Sequence, residues 1–331
     1  MNLIGDHTDY QGGLCLPMAI DREVRVECVA RTDGTVHVRT DAFAGDAVVT
    51  ADGAGDVRTT EPAWAATVVA VLRVLHERGR APVGFDATIT STVPAGSGLS
   101  SSAAFEIAFA LAAARVAGFA IGGRELALAG QAAEQLASGV PCGVLDQMAS
   151  VFGVRGHALL LDCRTLDVDT VPLPATAAVV VVPSGPRRLA DTEYAQRRAA
   201  CEAAAARLGV PTLRDATAAQ VADDPVARHV VSENARVLEC AGAFRAGDVE
   251  RAGTLMLESH ASLRDDFAVS TAALDGIVGE LVAAGAYGAR LTGAGFGGSV
   301  VGLVPAGDAA DIADALGGWV VHAAAGAGII S

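Results

Sequence analysis

The stretch from residue 90 to residue 108, "TSTVPAGSGLSSSAAFEIA", constrains the fold more than any other part of the chain. Alternating residues typical of a strand lead into a loop of proline, glycines and serines, and an apolar helix is predicted to begin at Ala103. Glycines let the backbone approach a ligand closely, and free N–H groups at a helix start attract anions. The stretch therefore predicts a phosphate-binding loop between a strand and a helix. The alternative is a flexible connector with a serine N-cap.

All 24 basic residues of the chain are Arg, and no position carries Lys. The loop is therefore not a Walker A motif, whose lysine reaches the phosphates of a nucleotide. For the same reason, no catalytic step can use a Lys base or a Schiff base. Serine hydroxyls and backbone N–H groups remain as the phosphate-binding groups of this loop, and a serine hydroxyl can also bind Mg²⁺.

The 331-residue chain carries 24 basic and 38 acidic residues, which gives a formal net charge of −14. Its basic residues are dispersed, and this argues against nucleic acid or an anionic membrane as a partner. The length and the hydrophobic content of 51% suit two domains with large cores. The six cysteines are scattered without a C-x-x-C pair, which predicts reduced thiols rather than a zinc site or a disulfide framework.

Hydrophobic periodicity predicts an α+β protein without internal repeats. Two alternating runs within residues 23–49, separated by Asp33-Gly34, are typical of a β-hairpin. The continuous apolar run 177–184 predicts a central strand covered on both faces. A last strand is predicted over 320–330, "VVHAAAGAGII". The stretch "RTLDVDTVPLPA" has the appearance of a connection, so we place a domain boundary near residue 170.

The segment "PAGSGLSSSAA" resembles the phosphate loop of the GHMP kinases, small-molecule kinases that act on galactose, homoserine, mevalonate and phosphomevalonate. Other stretches, in the same order along the chain, resemble segments of the galactokinases within that family. They are "NLIGDHTDYQGGLCLPMAI" (2–20), "GVPCGVLDQMAS" (139–150), "RRLADTEYAQRRAACE" (187–202), "SHASLRDDFAVSTAALD" (259–275) and "RLTGAGFGGSVV" (290–301). The resemblance therefore extends over nearly the whole chain.

The resemblance implies a two-domain fold with the active site in the cleft between the domains. Residues 1–170 would form a ribosomal-protein-S5-like N-terminal domain, and residues 171–331 a ferredoxin-like C-terminal domain. It further implies a cytoplasmic enzyme, a monomer or weak homodimer, that uses ATP and Mg²⁺ to phosphorylate a sugar at its anomeric hydroxyl. The partners expected on this basis are galactose and ATP, with no nucleic acid and no membrane.

The resemblance also implies roles for individual residues. Asp6, His7, Asp9, Tyr194 and the backbone of Gly143 would hold the sugar hydroxyls, since carboxylates and imidazoles suit several hydroxyls in fixed geometry. Without the resemblance, the cluster near the start would be interpreted as a solvated polar turn. Galactokinases usually carry Glu where this chain has Asp6. The shorter side chain reaches less far, which leaves open a sugar of different shape or substitution.

The expected catalytic group is Asp146, which would act as general base or orient the anomeric hydroxyl for in-line attack. Glu134 and Ser102 are the expected Mg²⁺ ligands. Trp64 is the aromatic expected at the adenine pocket, and the segment 291–298 would be a second glycine loop over the site. The residues expected to bind nucleotide phosphates are Pro94, Gly96, Ser97, Gly98, Leu99, Ser100, Ser101 and Ser102.

In the family, the N-terminal signature is preceded by a strand and by an Arg beside the reacting groups. We therefore expect that the natural protein starts upstream of Met1, and that the chain as given binds sugar weakly and turns over slowly. Two other functions stay open at this point. One is a kinase for a related sugar, such as arabinose, an N-acetylhexosamine or a uronic acid. The other is a sensor that binds galactose and ATP without catalysis.

Overall fold

The computed structural model of the chain describes residues 1–94, 98–185 and 190–330, with side chains from residue 193 onward in the last range. Gly96 and Ser97 of the predicted phosphate loop lie outside the described residues. The chain divides into two compact units. The first unit comprises Met1–Asp21, Ala95–Leu99 and Gly153–Ala325, and the second comprises Arg22–Pro94, Ser100–Phe152 and Gly326–Ser331.

Among the described residues, the second unit contains a four-stranded sheet and four α-helices. The strands are β2 (Val24–Arg31), β3 (Thr35–Thr40), β4 (Ala47–Thr50) and β5 (Gly84–Ser91), and their order in the sheet is β2-β5-β3-β4. The helices are α1 (Ala65–Glu77), α2 (Ser101–Val116), α3 (Gly123–Ser138) and α4 (Leu145–Phe152). Apolar residues of β3, β5, α1 and α2 form its core, where the rings of Phe85 and Phe109 lie 5.6 Å apart.

The predicted hairpin around Asp33-Gly34 is wrong in its pairing, although both of its strands exist. Strand β5 lies between β2 and β3, pairing antiparallel with β2 and parallel with β3. The turn between β2 and β3 therefore connects two strands that are separated by β5. Gly84 makes this possible, because a Cβ on it would lie 2.4 Å from the carbonyl oxygen of Thr35. Alternation alone cannot tell adjacent strands from strands separated by a third one.

The described part of the first unit contains two sheets and five α-helices. Its strands are β1 (Leu14–Cys15), β6 (His157–Asp162), β7 (Asp167–Pro172), β8 (Ala177–Gly185), β9 (Gly288–Thr292), β10 (Gly298–Pro305) and β11 (Trp319–Val321). Its helices are α5 (Ala190–Leu208), α6 (Pro225–Ala246), α7 (Val249–Asp265), α8 (Ala272–Ala283) and α9 (Ala309–Ala315). The sheet orders are β1-β6-β7 and β11-β8-β10-β9. Strand β8 has a neighbour on each side, as its continuous apolar run predicted.

Three details differ from the sequence prediction. The stretch interpreted as a connection forms β7, which pairs with β6 along its whole length. The last strand is short, since β11 ends at Val321 and the residues 324–330 form no strand. Helix α2 begins two residues earlier than expected, at Ser101. The compact units are discontinuous in sequence, and the division of the family domains near residue 170 stays a prediction.

Helix α6 is long and well delimited, and it places several buried polar groups beneath the N-terminal segment. Asp224 caps its start by accepting from the N–H of Ala227, and Pro225 occupies the first turn. Gly247 ends it in the left-handed conformation, with φ of 74°. These signals are readable from the sequence, and they fix where α6 begins and ends.

Candidate active site

Two glutamates of the second unit accept hydrogen bonds from one buried amide, and the charge of a nearby aspartate acts on both. The Ser102 hydroxyl donates to Glu134 Oε1 at 2.9 Å, so the loop–helix junction and α3 meet at this pair. The Nε2 of Gln147 donates to Glu134 Oε2 at 2.6 Å and to Glu106 Oε2 at 3.0 Å. Asp146 precedes Gln147 in the first turn of α4. The structure thus brings the three predicted residues Ser102, Glu134 and Asp146 into one cluster.

The charges of this cluster disfavour its ionisation. Burial raises the pKa of Glu106 well above its ordinary value, and the neighbouring Glu134 and Asp146 carboxylates add to the effect. Burial and the charge of Asp146 also raise the pKa of Glu134, against hydrogen bonds from Ser102, Gln147 and Cys142. A bound cation would remove this repulsion.

The donor set is compatible with Mg²⁺ bound together with a nucleotide. No group of three or more His, Cys, Asp or Glu side chains suited to hold a metal occurs in the part of the chain that the structure describes. One carboxylate and one hydroxyl are present instead, in direct contact. Mg²⁺ usually takes one or two carboxylates and completes its shell with phosphate oxygens and water. Ser102 and Glu134 therefore fit the metal that the sequence predicts.

The end of the predicted phosphate loop has the backbone of a ligand-binding turn. Gly98 and Ser100 have positive φ angles of 76° and 60°, and Leu99 between them is buried. Ser100 is the N-cap of α2, yet its side chain does not bond to the first N–H groups of the helix. Those N–H groups are therefore not occupied by their own cap, as anion binding requires. Pro94 and Ser101 flank this turn and are half-buried.

Positive φ angles at residues other than glycine coincide with the motifs. Five such residues occur among those that the structure describes, and four of them lie in motif segments: His7, Ser100, Ala268 and Phe296. A non-glycine residue in the left-handed region costs roughly 1–3 kcal/mol and persists where the surroundings require it. This supports the interpretation that the loops carrying these four residues are built for ligands rather than for connection.

The N-terminal segment is held firmly by the first unit rather than left loose. The His7 side chain is buried and makes two hydrogen bonds, Nδ1 with the Tyr10 hydroxyl at 2.9 Å and Nε2 with the Ala294 carbonyl at 3.2 Å. The Tyr194 ring lies 5.7 Å from His7 and 5.6 Å from Tyr10. The structure therefore brings two of the predicted sugar-binding residues, His7 and Tyr194, together around Tyr10.

Asp6 is buried in an ion pair that the sequence analysis did not foresee. Its Oδ2 lies 2.6 Å from Nη2 of Arg290, a fully buried side chain on β9. Its Oδ1 accepts from the N–H of Gly293 at 3.2 Å. Burial raises the pKa of Asp6, and the guanidinium of Arg290 opposes that rise. These two contacts of Asp6 hold the N-terminal signature segment (residues 2–20) in place, independently of any contact with a ligand.

Two further side chains of α6 support the same segment. Glu233 is fully buried and accepts from the Gly5 N–H at 3.0 Å and from the Ser259 hydroxyl at 2.5 Å. Burial opposes ionisation of Glu233, but Arg236 and Arg290 reverse that effect and keep its pKa below the ordinary value. A signal for this network was present in the sequence, because Arg290 stands directly before the glycine loop.

His229 of α6 completes this support. Its Nε2 lies 3.1 Å from the Asp6 carbonyl oxygen and must donate to it, since a carbonyl only accepts. Its Nδ1 lies 2.9 Å from the Ser262 hydroxyl oxygen. No motif in the sequence gives His229 a role. In the structure it is a buried imidazole that holds the backbone of the N-terminal signature.

This histidine predicts a pH dependence of stability. Burial lowers the pKa of His229 to about 4, whereas an imidazole in an unfolded chain titrates near 6.5. Between these values the unfolded state binds more protons, so the His229 contribution is complete above pH 6.5 and decreases as the pH falls toward 4. We expect the urea midpoint to fall over this range less steeply in His229→Gln than in the wild type. An equal slope in both would contradict it, and the exposed His322→Gln is the control.

The second glycine loop, residues 291–298, packs on the signature within the first unit. It supplies the Gly293 N–H to Asp6 and the Ala294 carbonyl to His7. Gly295 has φ of 78°, and a Cβ on it would lie 2.4 Å from the Val269 carbonyl oxygen. The loop therefore needs glycine for close packing, and its predicted closure over a ligand stays a prediction.

For three predicted site residues, Asp9, Gly143 and Trp64, the described contacts do not identify a role. Asp9 opens a short 3₁₀ turn and accepts from the N–H of Tyr10 at 2.9 Å. Gly143 is half-buried in the loop before α4. Trp64 stands at the start of α1, where its ring stacks on the exposed Phe43 at 6.3 Å. The roles of these residues as sugar or adenine contacts stay predictions.

No helix in the described part of the chain combines the length and the apolar character that a membrane span requires. All six cysteines are free thiols, as their spacing predicted.

Comparison with known proteins gives these clusters a family. Residues 66–154 match the model of the GHMP kinases N terminal domain, and residues 240–321 match the GHMP kinases C terminal model. Residues 1–29 match the galactokinase galactose-binding signature. A mevalonate kinase structure covers 97% of the chain with a TM-score of 0.73 at 18% identity, which shows the common fold alone. The fold and the clusters therefore define a GHMP kinase.

Relatives of higher sequence identity show to which branch of the GHMP kinases the chain belongs. The Chloroflexus aggregans galactokinase is 45% identical over 322 residues, covering 92% of this chain and 82% of the relative. The Roseiflexus galactokinase is 45% identical over 320 residues, covering 92% of this chain and 81% of the relative. The structure of Lactococcus lactis galactokinase complexed with galactose covers 98% of this chain and 92% of that chain, with 30% identity and a TM-score of 0.91. The chain belongs to the galactokinase family.

Proposed function

We propose that the protein transfers the γ-phosphoryl group of ATP to the anomeric hydroxyl of galactose. The observation that carries the proposal is the 2.9 Å contact between Ser102 and Glu134 directly after a glycine–serine loop, with Asp146 close enough for its charge to act on Glu134. This arrangement would supply the metal ligands and the carboxylate that phosphoryl transfer to a sugar hydroxyl needs. Membership of the galactokinase family and the match to the galactose-binding signature support galactose as the sugar.

In this proposal the nucleotide phosphates bind at the start of α2. The first N–H groups of a 16-residue helix carry its positive dipole end, and the side chain of Ser100 leaves them accessible. The predicted loop residues from Pro94 to Ser102 would surround the β- and γ-phosphates, with Trp64 as the proposed aromatic beside the adenine. Since the chain has no Lys, backbone N–H groups carry much of this binding.

Ser102 and Glu134 would hold Mg²⁺ in the ATP complex. The metal, when bound, neutralises developing charge on the transferred phosphoryl group. Glu134 must be ionised for this role, and a cation on it relieves the repulsion from Asp146 that raises its pKa. The ligand count fits a metal that completes its shell with ATP oxygens and water.

Asp146 is the proposed catalytic residue. Its carboxylate would accept the proton of the anomeric hydroxyl, or orient that oxygen toward the γ-phosphorus for in-line attack. Asp146 is half-buried in the first turn of α4.

The sugar hydroxyls would be bound by His7, Asp9, Tyr194 and the backbone of Gly143, with Asp6 at the edge of the site. The ion pair between Asp6 and Arg290 supports a role in which Asp6 chiefly orders the segment that carries His7 and Asp9. We further propose that the enzyme acts in the cytoplasm as a monomer or weak homodimer.

A sugar panel tests the proposal. Release of ADP is measured with Mg²⁺, ATP and each of galactose, arabinose, N-acetylgalactosamine, galacturonic acid and glucose. We expect the highest kcat/KM with galactose. A higher value for any other sugar would overturn the assignment of the substrate. Galactose binding by calorimetry without turnover on any sugar would instead favour the sensor function.

A further inference from the structure

Gln147 is the most completely enclosed polar side chain of the carboxylate cluster. It is 0% exposed, and the two hydrogens of its amide nitrogen point to carboxylates on two different helices. One bond, of 2.6 Å, goes to Glu134 on α3, and the other, of 3.0 Å, goes to Glu106 on α2. An amide nitrogen has two hydrogens, so both are used. A single side chain of α4 thereby joins the three helices of the cluster.

These bonds fix the direction in which Glu134 presents its carboxylate. Oε2 of Glu134 accepts from Gln147, and the Cys142 thiol also approaches that oxygen, at 3.4 Å. Oε1 of Glu134 therefore faces the Ser102 hydroxyl, at the proposed metal site. Without the bond from Gln147, the carboxylate would be free to rotate away from Ser102.

Glu106 contributes through Gln147, because it accepts the second hydrogen bond of the Gln147 amide nitrogen. A rotated Gln147 amide would give up both hydrogen bonds from its nitrogen and turn its oxygen toward the two acceptor oxygens, Glu134 Oε2 and Glu106 Oε2. The bond to Glu106 therefore adds to the preference for the nitrogen end. Consistent with this, Oε1 of Gln147 is buried without a hydrogen-bond partner among the described residues. Its amide is held in place by the nitrogen end alone.

Gly130 supplies an independent observation. It lies in the middle of α3, one turn before Glu134, where glycine weakens a helix relative to alanine. A Cβ on Gly130 would lie 3.1 Å from Cγ of Gln147 and 2.9 Å from Cδ1 of Ile107. The missing side chain leaves room for Gln147 to pass between α2 and α3 and reach Glu134.

We propose that Gln147 is a positioning residue for the Glu134 carboxylate, and that Glu106 holds the amide of Gln147 in the orientation this requires. The proposal rests on the proposed role of Glu134 as a Mg²⁺ ligand. Neither Gln147 nor Glu106 needs to touch the metal or the nucleotide. Groups that orient a ligand of a metal typically change its affinity by about 10–100-fold when removed.

The test measures binding rather than turnover. The affinity of a non-hydrolysable ATP analogue is determined by calorimetry at a series of Mg²⁺ concentrations, together with galactose affinity and the urea midpoint. Gln147→Met keeps the volume and removes both hydrogen bonds. Glu106→Leu removes the acceptor that orients the amide. Glu106→Gln keeps an oxygen acceptor for Gln147 and serves as the conservative rescue.

We expect Gln147→Met and Glu106→Leu to require about 10-fold more Mg²⁺ for half-maximal nucleotide binding. Glu106→Gln should stay close to the wild type, and galactose affinity should not change in any of the three. Gln131→Met is the matched control, because Gln131 lies on α3 and bonds to the Cys142 carbonyl rather than to a carboxylate. It should leave the Mg²⁺ requirement unchanged.

Other results would overturn the inference. An unchanged Mg²⁺ requirement in both Glu106→Leu and Gln147→Met would exclude a positioning role. A parallel loss of galactose affinity, nucleotide affinity and stability would show a merely structural one. If nucleotide binding to the wild type does not depend on Mg²⁺ at all, the proposed metal site fails and the inference falls with it, which distinguishes the two failures.

Discussion

Asp146→Asn is expected to lower kcat by about 10²–10⁴-fold, the usual contribution of a general base in proton transfer. The amide cannot accept the proton of the anomeric hydroxyl, but it keeps the shape of the carboxylate. Galactose affinity should therefore remain within a few-fold of the wild type. Turnover is measured as ADP release, and galactose affinity by calorimetry on the same preparation.

Two details sharpen this experiment. The Asp146 charge contributes to the raised pKa of Glu134, so its removal changes how readily Glu134 binds a cation. The comparison must therefore be made at saturating Mg²⁺. Asp169→Asn is the matched control, because that carboxylate pairs with Arg245 on the surface of the first unit. A kcat for Asp146→Asn within tenfold of the wild type would remove Asp146 from the catalytic role.

Arg290→Met is expected to give the largest loss of stability. Its guanidinium is fully buried, lies 2.6 Å from Asp6, and donates to the Leu3 carbonyl at 3.1 Å. Removing one partner of a buried ion pair leaves the other charge without compensation, which typically costs about 3–5 kcal/mol. The free energy of unfolding, from urea denaturation, should fall by that amount, and galactose affinity should fall with it because the signature segment loses its support.

A surface arginine with two partners provides the control for this loss. Arg251 pairs with Glu239 and Glu258, and all three side chains are substantially exposed. Arg251→Met should leave the urea midpoint nearly unchanged, since exposed pairs contribute little. Arg290→Lys keeps the charge without the planar fork, and it remains measurable if Arg290→Met does not fold. A change below about 1 kcal/mol for Arg290→Met would contradict the structural role of the pair.

Local patterns predicted the elements well, whereas the long-range pairing of the strands was beyond them. The apolar run of β8 predicted a central strand because a strand covered on both faces has no polar side. The Asp33-Gly34 turn predicted two strands correctly but not the insertion of β5 between them. That pairing depends on Gly84, fifty residues away, which permits the close approach of Thr35.

The candidate site shows the same limit. The motifs identified Ser102, Glu134 and Asp146, which the structure brings together. They did not identify Arg290 or Gln147, although both stand inside quoted motif segments. A buried arginine or amide acquires its role from partners distant in sequence, such as Asp6 and Glu106, and no local spacing records those partners. The pairing of Asp6 with Arg290 was missed for this reason, and its role as a sugar contact stays a prediction.

The most direct test of the account is to identify the product formed from galactose, ATP and Mg²⁺ by ³¹P NMR. The account predicts one phosphomonoester for each ADP released, with its phosphorus coupled to the anomeric proton and with loss of the reducing end. A phosphate on any other hydroxyl, or ATP hydrolysis without a sugar phosphate, would contradict it.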